Sequence, residues 1–237
     1  MSNSWFRFKQ FVIEQDRCAM KVSTDACVQG AWTPVAGDVK HVLDIGCGTG
    51  LLSLMLAQRY PDLVIDAIEL DAAAAEQAAE NVHASPWSGR IQVLQADARS
   101  FFADKKYELI ICNPPFFNNS LLGPQQLRNH ARHTLSLTYE DLFGCIENNL
   151  AAGGTAAVLL PSAEHQLWRK LLQANDWHII RELLIAPRTG SAPNRVVSVC
   201  APVYEHLQTE TVAIRQEAGN DYTQEFVELL HSFYLHI

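Results

Sequence analysis

The sequence predicts an α/β fold: a mostly parallel seven-stranded sheet with an antiparallel C-terminal hairpin and helices on both faces. Short apolar runs alternate with segments of helical length, which is the pattern of a parallel sheet covered on both sides. The runs are nearly continuous in apolar residues, as expected for strands that are buried on both faces. With 237 residues, 48% of them hydrophobic, the chain is long enough to bury one full core. We therefore expect one domain over 1–237, in which an N-terminal arm and helix (1–37) precede a central portion (38–160) and a C-terminal portion (161–237).

The elements between residues 38 and 175 follow from local composition. The segment 72–84 consists almost entirely of Ala, Glu and Gln, which are strong helix formers. A later helix ends shortly before Gly153 and Gly154, which together are a normal stop signal. The predicted strands are 41–45, 63–69, 91–95, 107–112 and 155–160, and the predicted helices are 50–59, 72–84, 139–150 and 163–175.

The last portion departs from this alternation. Strands are expected at 177–186 and 195–204 with no helix between them, which indicates an antiparallel hairpin at the sheet edge. Residues 221–234 then place Phe226 and Leu230 at helical spacing, and this pattern predicts a terminal amphipathic helix packed on the core.

Charge and hydropathy exclude several classes of protein. The net charge of −8 argues against a protein that binds nucleic acids non-specifically through a basic surface. Acidic residues are nevertheless absent from 116–138 and 189–202, so a local basic face remains compatible with the sequence. No apolar run of membrane-spanning length occurs, and the N-terminal residues lack an apolar signal core. We therefore expect a cytoplasmic protein without a membrane span.

The six cysteines give no sign of a disulfide or a metal site. They form no CxxC pair and no Cys/His cluster with zinc-ligand spacing. Several lie within apolar runs, where a free cysteine behaves as a small hydrophobic residue. We expect reduced, buried cysteines and no bound metal.

The first predicted strand runs into a glycine-rich loop, DIGCGTG at 44–50, where a helix begins. The glycines permit a tight turn and let backbone N–H groups approach a ligand closely. The spacing is GxGxG, whereas dinucleotide-binding proteins have GxGxxG, so a nicotinamide-dependent dehydrogenase is the less favoured alternative. Asp44 suits either of two roles, which are binding a cationic amino group of a ligand and holding the loop in shape.

Acids also follow the second and third strands. Glu69 comes about 20 residues after the glycine loop, where an acid accepts hydrogen bonds from ribose hydroxyls. Asp97 follows the third strand and is placed to accept from an adenine amino group. Asp71 alone is better explained as a helix N-cap. Because ligands of open α/β sheets bind at the carboxyl ends of the strands, three strand-end acids and a glycine loop predict a nucleoside-containing ligand.

The fourth strand ends in NPPF, at 113–116. Two consecutive prolines hold the backbone extended and remove two N–H donors. The side-chain oxygen of Asn113 and the carbonyl of Pro114 are then able to accept both hydrogens of a planar NH₂ group. Phe116 offers a face on which a planar base stacks, worth ~1–3 kcal/mol. Positioning would drive a direct in-line transfer to such a nitrogen without a strong general base; the alternative is that NPPF only terminates the strand.

In this order, the motifs resemble those of the Rossmann-like class I methyltransferases, which use S-adenosylmethionine, over roughly 38–160. The methyl donor has a cationic amino group and no phosphate, which matches the acid before the glycine loop. NPPF resembles the [DNS]-P-P-[YFW] motif of amino-methyltransferases that act on adenine N6, cytosine N4, guanine N2 or glutamine N5. The resemblance therefore implies S-adenosylmethionine as the cofactor and a nitrogen as the acceptor.

The N-terminal residues narrow this resemblance to one family. Only about 40 residues precede the first strand, so we expect neither the N-terminal domain of release-factor glutamine methyltransferases nor that of two-domain rRNA guanine methyltransferases. The openings FKQF at 8–11 and KVSTDA at 21–26 are similar to those of the bacterial tRNA1(Val) adenine-N6-methyltransferase family, which modifies the adenine next to the anticodon. This similarity spans nearly the whole chain. Ser23 stands where that family is expected to have glycine, so we expect mild strain from a positive φ there.

The resemblance implies a tRNA substrate, and we expect a monomer. The loop after NPPF is either an arm that contacts tRNA or a solvated surface loop. Methylation of a protein glutamine or of another RNA base nitrogen is the alternative activity, and an RNA chaperone without catalysis is a third. Trp5, Phe6 and Phe8 are placed either to stack RNA bases or, as we favour, to anchor the N-terminal arm. The predicted catalytic residues are Asn113, Pro114, Pro115 and Phe116; the predicted cofactor-binding residues are Lys21, Thr24, Asp25, Asp44, Gly46, Cys47, Gly48, Thr49, Gly50, Glu69, Leu70, Asp97, Ala98 and Asn113; and the predicted substrate-binding residues are Arg128, Arg132 and His133.

Overall fold

The computed structural model describes residues 3–114 and 137–237. Helices and strands alternate along most of this part of the chain, as the apolar pattern predicts. In chain order the elements are β1 (Trp5–Arg7), β2 (Val12–Glu14), α1 (Thr24–Trp32), β3 (His41–Ile45), α2 (Leu51–Arg59), β4 (Val64–Glu69), α3 (Ala72–His83), β5 (Ile91–Gln95), a 3₁₀ turn (Ala98–Ser100), β6 (Tyr107–Cys112), α4 (Tyr139–Asn149), β7 (Leu150–Pro161), α5 (Ser162–Ala174), β8 (His178–Arg188), β9 (Arg195–Ala201), β10 (Gln208–Arg215) and α6 (Gln224–Leu230).

The main sheet of the described residues has eight strands in the order β10-β8-β9-β7-β6-β3-β4-β5. Neighbouring strands are parallel except where β9 pairs with β7 and with β8. The mostly parallel α/β class and the antiparallel β8–β9 pair are therefore confirmed.

Two expectations about the C-terminal part of the sheet were wrong. The sheet has one strand more than the seven predicted, because β10 pairs in parallel with β8. The β8–β9 hairpin is therefore not the edge, since β9 lies between β7 and β8, and β10 lies outside β8. The strand β10 was not predicted because its first four residues are exposed and polar, as an edge strand permits, so the strand shows no apolar run.

Capping side chains set the starts of the helices. Asp71 caps α3 by accepting from the amide of Ala74, as its position indicates. Thr138 and Asp141 form a capping box at the start of α4. Ser23 caps α1 with a φ of −122°, which is ordinary extended backbone, so the expectation of strain at this residue was wrong. A serine in this place gives α1 a hydroxyl cap that glycine lacks.

The core lies on both faces of the sheet, because successive residues of a buried strand point to opposite sides. In β3, Val42 belongs to the cluster that packs under α1, α2 and α6, whereas Leu43 and Ile45 belong to the cluster under α4 and α5. The six cysteines are all buried. In the described part of the chain, no helix is long and apolar enough to cross a membrane.

Candidate active site

A cavity of about 610 Å³ opens at the carboxyl ends of β3, β4, β5 and β6. The glycine loop forms its floor, and the residues that follow the next strands form its sides. Among the predicted site residues, its wall includes Lys21, Gly46, Cys47, Gly48, Thr49, Glu69, Leu70, Asp97, Ala98 and Asn113.

The glycine loop adopts a backbone conformation that is unfavourable for residues with a side chain. Gly46, Gly48 and Gly50 have φ of +68°, +54° and +80°, in the left-handed region that favours glycine. The amides of Gly46 and Cys47 both donate to the carbonyl of Ile68, at 2.9 and 3.0 Å. The loop is thereby bent over the end of β4 and leaves open space beside Gly46 and Gly48, where a ligand is able to approach the backbone.

Glu69 joins the end of β4 to this loop. Its Oε2 accepts from the amide of Gly48 at 2.9 Å, and its Oε1 accepts from the amide of Asp71 at 3.0 Å. Each carboxylate oxygen has a second lone pair. Glu69 is therefore fixed in direction by the protein while it keeps acceptor capacity for hydroxyl donors in the cavity.

Asp44 lies beneath the loop, outside the residues that line the cavity. It is 0% exposed, and its Oδ2 accepts from the amide and the hydroxyl of Ser53 at 3.2 and 2.7 Å. Burial raises the pKa of this carboxyl to about 7, and the two Ser53 bonds oppose the rise only in part. These contacts tie Asp44 to the start of α2, while its Oδ1 has no hydrogen-bond partner among the described residues, so the ligand-binding role expected for Asp44 stays a prediction.

Asp97 faces the cavity beside Arg99 on the 3₁₀ turn. Both carboxylate oxygens accept from the guanidinium of Arg99, with Nε at 3.0 Å from each of them. These hydrogen bonds hold the pKa of Asp97 below its usual value. The carboxylate thus stays ionised and remains an acceptor at the rim of the cavity.

Asn113 follows β6 and brings an amide side chain to the cavity wall. Its Oδ1 is buried and has no hydrogen-bond partner among the described residues, and Pro114 is buried next to it. The preceding carbonyl, of Cys112, accepts at 2.9 Å from Nε2 of Gln29, a fully buried residue of α1. The backbone that carries Asn113 is therefore anchored, whereas the Asn113 oxygen is available to a donor.

A segment before α1 completes the cavity and was missed by the sequence analysis. Asp16, Arg17, Cys18 and Met20 also line the cavity. Gln77 of α3 holds this segment, because its Nε2 donates to Asp16 at 2.5 Å and its Oε1 accepts from the amide of Arg17 at 3.0 Å. No local motif marks these residues, since their place depends on a contact about 60 positions away.

Comparisons with known proteins show which family the chain resembles. Residues 33–136 match the family model described as the methyltransferase small domain. A tRNA1(Val) (adenine(37)-N6)-methyltransferase of Tolumonas auensis is 44% identical over 99% of this chain and 98% of its own length. Another from Bacteroides fragilis strain YCH46 is 40% identical over 99% of both chains.

The chain belongs to the tRNA1(Val) (adenine(37)-N6)-methyltransferase family. Its fold is also found beyond this family. A predicted O-methyltransferase from Agrobacterium tumefaciens superposes with a TM-score of 0.67 over 88% of this chain and 96% of that chain, at 18% identity. At that identity the likeness shows the shared methyltransferase fold.

In this member of the family, four residues predicted to bind the cofactor lie away from the cavity wall: Thr24, Asp25, Asp44 and Gly50. Asp25 accepts from Nε of Arg195 at 3.0 Å, and this ion pair ties α1 to the start of β9. Thr24 is the first residue of α1 and lies beside the hydroxyl of Tyr234. Gly50 precedes α2 and lies against α3.

The remaining predicted residues of this family member, Pro115, Phe116, Arg128, Arg132 and His133, lie outside the described residues. Within the described ranges, no group of three or more His, Cys, Asp or Glu side chains is arranged to hold a metal ion.

Proposed function

We propose that the chain transfers the methyl group of S-adenosylmethionine to the exocyclic N6 of an adenine in tRNA, with adenine 37 of tRNA1(Val) as the target. The target is the one named for its full-length relatives. The observation that carries the proposal is the buried, unpartnered Oδ1 of Asn113 at the wall of a cavity that also presents Glu69 and Asp97.

The residues present fit the cofactor. A cavity of about 610 Å³ is large enough for a nucleoside with an amino-acid side arm. Glu69 is oriented to accept from ribose hydroxyls, and the ionised Asp97 from an adenine amino group. When bound, S-adenosylmethionine supplies a methyl group activated by a neighbouring sulfonium.

The acceptor side is organised by Asn113 and Pro114. The amide oxygen of Asn113 and the carbonyl of Pro114 accept the two hydrogens of the target NH₂ group, which turns the nitrogen toward the methyl donor. Both acceptors are held on backbone that Gln29 anchors through the Cys112 carbonyl. Positioning of this kind converts a bimolecular transfer into a nearly unimolecular one, so no strong general base is needed. The proton leaves after the nitrogen has gained the methyl group.

Methylation of a defined transcript tests the proposal. The purified chain is incubated with S-adenosylmethionine and with two tRNA1(Val) transcripts that differ only in adenine or guanine at position 37, and the nucleosides are separated by mass spectrometry. We expect N6-methyladenosine in the adenine transcript alone. Methylation of both transcripts or of another base would contradict the target, and failure to bind S-adenosylmethionine would contradict the donor half.

A further inference from the structure

The hairpin β1–β2 has an inner and an outer face. Phe6 and Phe8 point inward, where their rings lie 4.7 Å apart and each lies 5.9 Å from the ring of Tyr234. Trp5 and Arg7 alternate with them and point outward, and Trp5 is 49% exposed. We call the surface formed by Trp5 and Arg7 the hairpin face. Of Trp5, Phe6 and Phe8, the two phenylalanines serve as anchors and Trp5 does not.

The hairpin face begins beside the active-site cavity. The buried Gln15 accepts from the amide of Val22, and its own amide groups donate to the carbonyls of Ser4 and Asn3. The ammonium of Lys21 donates to the same Asn3 carbonyl at 3.0 Å. Lys21 and Val22 line the cavity, so these hydrogen bonds connect the cavity wall to the two residues that precede Trp5.

The chemistry of this face suits a single-stranded RNA loop. A flat, exposed indole stacks on an unpaired base, and guanidinium groups bind phosphates. Arg7 forms no ion pair with a carboxylate of residues 3–114 or 137–237, and Lys9 is also exposed on the same hairpin. Glu14 of β2 pairs with Trp5, and it is the one acid among the paired residues of β1 and β2. The basic side chains stand out on a chain whose net charge is −8.

We propose that the hairpin face docks the anticodon loop of the tRNA substrate, with Trp5 stacked on a base near the target adenine and Arg7 on a backbone phosphate. This inference rests on the proposed function, because it assigns the surface that holds the loop while the adenine enters the cavity.

Binding of a short anticodon stem-loop RNA tests the role of Trp5. Trp5→Leu weakens binding by about fivefold or more, the fold-change that corresponds to ~1–3 kcal/mol for one stacked base. Trp5→Phe, which keeps a stacking face, stays much closer to wild type. Tyr204→Leu is the matched control, since Tyr204 is 66% exposed but lies beside His178 at the opposite edge of the sheet.

The salt dependence of the same binding tests Arg7. Arg7→Gln lowers the slope of log Kd against log salt by about 0.7, the value for one phosphate contact on a single strand. Lys40→Gln leaves the slope unchanged, because Lys40 is an exposed cation at the amino end of the central strand β3, whereas the cavity opens at the carboxyl ends of the strands.

The outcomes separate this inference from the proposed function. If the wild-type chain methylates tRNA but Trp5→Leu binds RNA as the wild type does, the docking surface is wrong and the function stands. If Trp5→Leu loses S-adenosylmethionine affinity as much as RNA affinity, the docking role is also overturned. If the wild type methylates no tRNA, the proposed function itself fails.

Discussion

Replacement of Asp44 by asparagine tests how strongly burial perturbs this carboxyl. The amide of Asn keeps an acceptor for the two hydrogen bonds from Ser53, at 3.2 and 2.7 Å, and removes the ionisable group. Burial raises the pKa of Asp44 from 3.8 to about 7 in the folded chain. The folded state therefore keeps its proton over a pH range in which the unfolded state has released it.

The sign and size of the effect follow from this difference. Because the unfolded chain binds fewer protons than the folded chain between about pH 4 and pH 7, Asp44 makes the free energy of unfolding fall as pH rises. The slope approaches 1.4 kcal/mol per pH unit, and the whole shift corresponds to roughly 4 kcal/mol. Between about pH 5 and pH 8, we expect the wild type to lose roughly 2–3 kcal/mol relative to Asp44→Asn.

Urea unfolding of the cofactor-free proteins measures this difference. The other titrating groups are common to both proteins, so they cancel when the two free energies of unfolding are subtracted at each pH. In thermal unfolding the same change corresponds to roughly 2–4 °C per kcal/mol for a chain of this size. Ser53→Ala is the control, since loss of its hydroxyl donor moves the midpoint of the pH dependence upward. A wild-type minus Asp44→Asn difference that is flat from pH 5 to pH 8 would refute the raised pKa.

Three further predictions concern the acceptor, the cavity wall and the packing of α1. Asn113→Ala lowers kcat for tRNA methylation by about 100-fold or more, because one of the two acceptors for the target NH₂ group is lost. Calorimetry should show S-adenosylmethionine affinity close to wild type, and an unchanged kcat would show that Asn113 does not hold the NH₂ group. Gln77→Leu releases Asp16 and the following amide, so calorimetry should show weaker cofactor binding, and an unchanged Kd would mean that this wall is dispensable. Gly30→Ala places a Cβ 2.7 Å from the sulfur of Met55; urea unfolding should show a loss of about 1–3 kcal/mol, and full stability would show that Met55 moves aside without strain.

Several residues of the cavity wall could be predicted from the sequence because their placement is local. The glycine loop, Glu69, Asp97 and Asn113 each follow a strand directly, and parallel strands bring their carboxyl ends to one edge. The helix caps are similarly local, as Asp71 shows. The same locality explains why most helix ends fall within one or two residues of their predicted positions.

The residues whose placement the sequence did not reveal depend on distant contacts. Asp16 and Arg17 join the cavity wall only because Gln77 binds them from another helix. Asp25 faces Arg195 instead of the cavity, and the two are 170 positions apart in the chain. A one-dimensional pattern contains no record of such pairings.

By itself, the sequence determined the α/β class, the glycine loop with its strand-end acids, and the amide at the end of the fourth predicted strand. Each of these depends on residues that are neighbours in the chain, where backbone geometry and side-chain period act directly. Only the tertiary structure decided that β9 lies between β7 and β8, that β10 forms the edge, and that Asp44 lies beneath the loop and not in the cavity. Strand order and burial are set by the packing of segments that are distant in the chain, so local sequence patterns do not determine them.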